Sequence, residues 1–295
     1  MSLEVLRPAQ KAPASHSLKS AEYAKGRSYK LYKGDSLSLL GQFPDESFDL
    51  IFADPPYFLS NGGFTCKGGK RVSVQKGEWD ESKGVDDDHR FTSEWLEACK
   101  RVLKPSGTIW VSGTQHVIFS VGFAMQRLGY KLLNTVTWYK PNASPNLSCR
   151  YFTHSTELLI WASPNNKGKL QHTFNYPDMK AENGGKQMRD VWNLPKSGEE
   201  ELSPDGEGRV WTQITPRKSE KAYGGHPTQK PLALLERVIR ASTSEDALVL
   251  DPFNGSGTSG VAAVHLGRRY VGIDLNPEYL ELTKKRIDAV ERQSS

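Results

Sequence analysis

Phe48-Asp49-Leu50-Ile51-Phe52-Ala53-Asp54-Pro55-Pro56-Tyr57 is the stretch whose reading decides the fold. An apolar run of this length is what a strand buried on both faces of a parallel sheet carries. Two prolines cannot continue a central strand, so the chain must turn at Asp54. Ligands gather outside the carboxyl ends of such strands, which makes Asp54–Tyr57 a candidate site from the outset.

On the N-terminal side, Tyr29–Tyr32 alternates like a short strand, stops at Gly34-Asp35, and leads into a helical stretch over Leu37–Leu40. On the C-terminal side, residues 58–90 are rich in Gly, Lys, Asp and Ser and read as a long loop. Helices are predicted over Thr92–Leu103 and Val117–Leu128, and strands over Thr108–Val111, Leu132–Tyr139 and Glu157–Ala162. Pro105-Ser106-Gly107 separates the first helix from its strand. Globular order resumes at Pro231 with a helix over Leu232–Ala241, a strand ending at Asp251, a glycine-rich turn, a helix through Leu266, a strand over Arg269–Asp274 and a last helix over Pro277–Val290. The alternation predicts an α/β fold with a doubly wound, mostly parallel sheet, in which late strands can run antiparallel.

Composition divides the chain further. Residues 1–28 carry Arg7, Lys11, Lys19, Lys25 and Arg27 against Glu4 and Glu22 and read as a flexible basic N-terminal arm. Residues 29–162 and 226–295 are expected to form the main α/β domain. Residues 163–225 form an insert of scattered aromatics (Phe174, Tyr176, Trp192, Trp211, Tyr223) among Lys180, Lys186, Arg189, Lys196, Arg209, Arg217, Lys218 and Lys221. The net charge of +5, from 39 basic and 34 acidic side chains, permits a nucleic-acid partner without demanding one. No apolar run approaches the roughly 20 residues of a membrane span, and the first residues lack a secretory core, so a cytoplasmic location with no membrane partner is expected. Cys66, Cys99 and Cys149 show no Cys-x-x-Cys spacing, which argues against a zinc site or a disulfide framework, and no metal is expected.

The second candidate site is Asp251-Pro252-Phe253-Asn254-Gly255-Ser256-Gly257-Thr258-Ser259-Gly260, between a strand and a helix, with Asp274 closing the next strand. Glycines there let the backbone turn tightly and approach a ligand, and a carboxylate at the next strand end can accept both hydroxyls of a ribose. Read literally, Gly255-x-Gly257-x-x-Gly260 fits a dinucleotide fingerprint, and an ordinary tight turn fits it too. Asp251 would repel a pyrophosphate and favour the ammonium of a methionine moiety, which points to S-adenosylmethionine.

At the first site, the chemistry that fits is methylation of an exocyclic amino group. That nitrogen is a poor nucleophile because its lone pair is delocalised into the base. The Asp54 carboxylate and the Pro55 carbonyl, extended ahead of Pro56, would accept its two N–H bonds where charge develops. Tyr57 would offer a flat wall to a base pulled out of its stack. A plain proline turn with an N-cap aspartate is the alternative.

Taken together and in this order, the two motifs resemble those of the β-group DNA amino-methyltransferases, adenine-N6 and cytosine-N4 enzymes of type II restriction–modification. His226-Pro227-Thr228-Gln229-Lys230-Pro231 resembles that family's motif ahead of the cofactor loop. The resemblance spans roughly 29–290 and implies the S-adenosylmethionine-dependent methyltransferase fold in circularly permuted order. The strands ending at Asp35 and Asp54 become its third and fourth, and those ending at Asp251 and Asp274 its first and second. By the same resemblance Asp54, Pro55, Pro56 and Tyr57 are catalytic. Asp35, Asp54, Thr228, Lys230, Asp251, Phe253, Gly255, Ser256, Gly257, Thr258 and Asp274 hold the cofactor, with Asp35 facing its adenine and Thr228 and Lys230 near its methionine end. A turn role for Asp35, and a phosphate-contacting or structural role for Lys230, stay open.

Asp54, where cytosine-N4 enzymes more often carry serine, favours adenine N6 over cytosine N4. Cytosine-C5 chemistry needs a cysteine nucleophile, typically after proline, and none of the three follows one. The implied partner is double-stranded DNA. A cognate restriction endonuclease system and a homodimer are compatible with the resemblance. Residues 163–225 are assigned to target recognition and residues 58–90, with Lys67, Lys70 and Lys76, to closure over the base. An RNA or protein methyltransferase and a non-enzymatic nucleotide-binding module are the rival readings.

Overall fold

In chain order the elements are α1 (Leu18–Ala21), β1 (Glu22–Lys25), β2 (Tyr29–Lys33), α2 (Ser36–Leu40), β3 (Phe48–Ala53), β4 (Phe64–Lys67) and β5 (Lys70–Ser73). Next come α3 (Val85–Val102), β6 (Leu103–Gly113), α4 (Ile118–Arg127), β7 (Lys131–Tyr139), β8 (Thr156–Ser163), α5 (Tyr176–Glu182), β9 (Val191–Trp192), β10 (Glu201–Leu202) and β11 (Arg209–Val210). The chain closes with α6 (Leu232–Ser242), β12 (Leu248–Asp251), α7 (Thr258–His265), β13 (Arg269–Asp274) and α8 (Pro277–Gln293). This computed structural model describes residues 17–60, 80–141, 145–165, 167–192 and 228–293, together with 64–67, 70–73, 143, 201–202, 209–210, 220, 222–224 and 226.

Nine strands form one sheet in the order β1-β2-β13-β12-β3-β6-β8-β7-β9. From β2 to β6 every pairing is parallel. β8 runs antiparallel between β6 and β7, and β1 antiparallel at the far edge. The doubly wound, mostly parallel sheet is therefore present. So is the permuted order: the strands ending at Asp251 and Asp274 sit between β2 and β3.

The apolar run at Phe48–Ala53 shows why β3 is central. Ile51 and Ala53 enter the core under α2, α3 and α4, while Leu50 and Phe52 enter the core under α6, α7 and α8. Each fully buried Leu or Ile contributes roughly 1.5–3 kcal/mol, and both faces of β3 are used.

Three boundaries differ from the reading of composition. Residues 18–25 are not part of a free arm. Ala21 is buried in the core, β1 pairs with β2, and the Tyr23 hydroxyl reaches Glu281 at 3.4 Å. Four residues of edge strand are too few to show periodicity. Helix α3 starts at Val85 instead of Thr92, because Asp86, Asp87 and Asp88, which look like loop composition, occupy its first turn and complement the helix dipole. β6 already begins at Leu103. Its register against β3 jumps from Phe48↔Leu103 to Leu50↔Thr108, so Pro105-Ser106-Gly107 forms a bulge inside the strand.

Much of the stretch between β8 and β9 is tied to the sheet. The Asn175 side chain donates to the carbonyls of Arg240 (2.6 Å) and Thr243 (2.7 Å) and closes the end of α6. Glu182 pairs with Arg237 at 2.6 Å and with Arg240 at 3.1 Å. Trp192 lies 5.6 Å from Trp110, which stacks on Trp161 at 5.1 Å. Lys76, Lys196, Trp211, Arg217, Lys218 and Lys221, assigned to DNA contact, lie outside the described residues, and only the backbones of Lys67, Lys70 and Arg209 are described.

Gly257 shows how the glycine loop is held. Its φ is 68°, and a Cβ there would lie 2.3 Å from Thr283 of α8. Gly267 has φ 74° but open space around it. Gly257→Ala is expected to cost about 2–5 kcal/mol, a left-handed penalty plus an overpacking term, against about 1–2 kcal/mol for Gly267→Ala. Urea denaturation of the two variants checks this; equal losses would mean that contact with Thr283 contributes nothing.

Candidate active site

Four parallel strands in a row, β2, β13, β12 and β3, carry Asp35, Asp274, Asp251 and Asp54 at or just beyond their carboxyl ends. These residues line a single cavity of about 350 Å³. Pro55, Pro56, Tyr57, Thr228, Lys230, Phe253, Gly255, Ser256 and Thr258 line it as well. Gly257 does not, and its glycine identity answers to Thr283.

Asp54 is locked in place. Its Oδ1 accepts hydrogen bonds from the Tyr57 hydroxyl (2.6 Å) and from Ser112, and its Oδ2 accepts one from Lys230 Nζ at 2.7 Å. Burial alone would raise its pKa. The Lys230 ammonium and the two hydroxyls outweigh burial and hold it below the usual carboxylate range. Lys230 is itself buried. Burial would lower its pKa, but Asp54 and Glu157 together push it well above the ordinary lysine value. Glu157 Oε2 lies 3.5 Å from Lys230 Nζ, an ion-pair contact without hydrogen-bond geometry, and Glu157 Oε1 pairs with Lys140. Lys230 thus sits on the Asp54 carboxylate. Tyr57 is buried, with its hydroxyl also 3.2 Å from Ser112 and 3.1 Å from Lys230.

The second half of the cavity has the opposite electrostatics. Asp251 is pushed up to about 7, mainly by burial and further by the negative charges of Asp54 and Asp274, although Ser259 and the Phe253 amide oppose the shift. Asp274 is pushed up to about 6 by burial, against the backbone amides of Asn276 and Gly255. Asp274 accepts the Gly255 and Asn276 amides, both at 2.8 Å. Phe253 packs edge-on to Trp95 at 5.4 Å, and His226 packs edge-on to Tyr279 at 4.4 Å; each pair supplies a wall ring. Thr228 bonds the His226 ring at 3.1 Å. Asp35 caps α2, accepting the Ser38 amide at 2.8 Å, so its turn role and its place in the cavity wall coexist.

Sequence reasoning missed Asp80, Ser112 and Glu157. Asp80 is fully buried and accepts the Tyr57 amide (2.9 Å), the Leu59 amide (3.1 Å) and the Ser60 hydroxyl (2.9 Å). It pins the turn that carries Asp54. Nothing in the spacing of residues 58–90 marks it. Glu157 did leave a trace, as an acid beside an apolar strand run.

A protein-family model described as DNA methylase, for N6/N4 enzymes, matches residues 48–285. The chain is 50% identical to type II methyltransferase M2.DpnII of Streptococcus pneumoniae over 259 residues, 88% of this chain and 89% of that protein. It is 51% identical to M2.LlaDCHI of Lactococcus lactis subsp. cremoris over 258 residues, 88% of each. Among solved structures, the M1.HpyAVI–SAM complex matches with TM-score 0.59 at 25% identity, covering 88% of this chain and 99% of that one. The cytosine-N4-specific PvuII DNA methyltransferase matches with TM-score 0.63 at 18% identity, covering 90% and 91%, a likeness of fold.

Asp80→Ala would leave buried amide donors without an acceptor, at about 1–3 kcal/mol each. Hydrogen exchange at Tyr57 and Leu59 is expected to accelerate by tenfold or more, on the order of what that cost implies. Unchanged protection at both amides would remove Asp80 from the support of this turn.

Proposed function

Given a chain that belongs to the N6/N4 DNA methylase family, we propose that it methylates adenine N6 of a base flipped from double-stranded DNA, with Asp54–Tyr57 receiving the base. Methyl transfer to DNA is the family's activity, and S-adenosylmethionine is the cofactor. The observation that carries the proposal is the convergence of Asp54 with Asp251 and Asp274 in one cavity at the edge of adjacent strands.

The cavity's donor set suits that cofactor. Asp274 carries a carboxylate at the strand end for two ribose hydroxyls, Phe253 and Tyr279 offer ring faces, and Asp251 and Asp54 favour a cation. Asp35, Thr228, Ser256 and Thr258 complete the wall, and Gly255 and Gly257 shape the turn. S-adenosylmethionine, when bound, supplies the electrophilic methyl carbon. Asp54 then does the orienting. Tyr57 and Ser112 fix Oδ1, so the exchangeable position is Oδ2. Lys230 cedes it to an amino N–H and leans on Glu157. The ammonium would have to leave, because the attacking nitrogen gains positive charge as its bond to the methyl carbon forms and the carbon–sulfur bond breaks; that nitrogen would then lose one proton by way of Asp54 Oδ2 to solvent. The Pro55 carbonyl accepts the second N–H, and the Tyr57 ring edges the base site.

Residues 163–225 read the DNA sequence in this proposal. The type II designation of the relatives supports a cognate restriction endonuclease. No helix among the described residues is long and apolar enough to cross a membrane, and a DNA substrate suits the cytoplasm.

Asp54→Ala is expected to abolish methyl transfer while calorimetry still detects cofactor binding; loss of binding altogether would deny Asp54 a separate role in catalysis. Methylome sequencing with nucleoside mass spectrometry should return N6-methyladenine at one recurring sequence, and N4-methylcytosine in its place would overturn the base assignment.

Cofactor affinity should also depend on pH. Asp251 and Asp274 bind a cation and ribose hydroxyls best as carboxylates, and their raised values mean that they take up protons as pH falls through 7 and then 6. The dissociation constant is expected to rise about tenfold or more between pH 8 and pH 5.5, and a flat calorimetric profile would detach both groups from the cofactor.

A further inference from the structure

The loop between β7 and β8 inverts the usual arrangement of a surface loop. Several of its described polar groups bond within the loop. The Asn146 side chain accepts the Ser148 amide (3.0 Å) and hydroxyl (2.7 Å) and donates to the Tyr151 carbonyl (2.6 Å), while the Lys140 amide bonds the Ser155 carbonyl at 2.7 Å. Its apolar side chains point to solvent. Leu147 is 52% exposed, Tyr151 60% and Phe152 96%. A loop gains nothing in stability from presenting three large apolar groups to water, and their clustering marks a contact surface.

The stalk of this loop stands on the active site. Trp138 pairs with Glu157 and Tyr139 with Thr156 in the β7–β8 ladder, and Glu157 is the carboxylate beside Lys230. On the other side, Gln115 follows the end of β6, whose Ser112 holds Asp54, and its side chain lies 3.5 Å from His154 of the loop. Residues 140–155 contain Lys140 and Arg150 and no Asp or Glu. An acid-free tip that carries exposed apolar rings beside Arg150, next to a base-binding cavity, fits a polyanion whose interior is a stack of flat rings.

We propose that this loop is the duplex wedge of the enzyme: Phe152 enters the base stack at the position the target base vacates, flanked by Tyr151 and Leu147, with Arg150 toward the phosphates. The proposal rests on the reading of the protein as a base-flipping DNA methyltransferase. Apolar wedges lower the cost of unstacking by filling the gap they open. No covalent step is involved, so the wedge alters only the equilibrium between stacked and extruded base.

The test uses the full chain and oligonucleotide duplexes built on the sequence that methylome sequencing returns. One duplex carries a paired target, the other a target opposite an abasic site. Phe152→Ala, a substitution at an exposed position, is expected to lower kcat/KM on the paired duplex about tenfold or more. On the abasic duplex, where no partner base holds the target, it should stay within about threefold of the parent protein. Phe152→Leu should recover part of the loss, and 2-aminopurine at the target should brighten less with the alanine variant. Parent-like activity of Phe152→Ala on the paired duplex, or an equal loss on both duplexes, overturns the wedge. Failure of the parent protein to methylate either duplex would strike the function reading itself.

Discussion

The parallel pairing of β3 with β12 is the constraint on which everything else rests. Val249↔Leu50 and Leu250↔Ile51 set the register that brings Asp54 beside Asp251, two residues far apart along the chain. The pairing is possible because both strands are apolar on two faces and lie in the middle of the sheet, with helices on either side. Once it forms, the strand ends must turn outward at the same edge, and every turn there opens into the same cavity. The circular permutation alters only which strand is made first.

That edge concentrates like charge, and the protein resolves the repulsion unequally. Asp54 receives a buried lysine and two hydroxyls, and it stays ionised. Asp251 and Asp274 receive only hydroxyl and amide donors, and both are driven toward neutrality. Environments that push paired acids in opposite directions mark a division of labour. On the proposed function, one carboxylate is kept anionic for a reacting amine, and the other two become anionic most readily when a cation arrives, which would link their protonation to cofactor occupancy.

How much of this was legible in the sequence follows from how local each signal is. β3, the turn after it and the glycine loop were readable because apolar runs, prolines and glycines act on their own backbone. The strand order was readable only through the motif resemblance, since no periodicity says which strands are neighbours. Helix α3 was shortened because its acidic first turn has the composition of a loop. For Lys230 the motif gives proximity to the cavity without direction; the fold turns its ammonium onto Asp54. Asp80 left no trace at all, because a residue that satisfies the amides of another loop does so through tertiary contact alone.

The buried charges argue for function over stability. Lys230, Asp54, Glu157 and Lys140 form a chain of two cations and two anions, of which Lys230 and Asp54 line the cavity. Removing such a network in favour of apolar side chains is often neutral or stabilising, since desolvation offsets much of the Coulomb gain. A fold with two apolar cores does not need this ion chain to hold together. What the chain provides is a carboxylate whose orientation is fixed through one oxygen while the other can change partners. A fully solvated aspartate would rotate and exchange water, and an apolar pocket would leave it protonated. Only a nearby cation with somewhere else to go keeps it anionic, oriented and available.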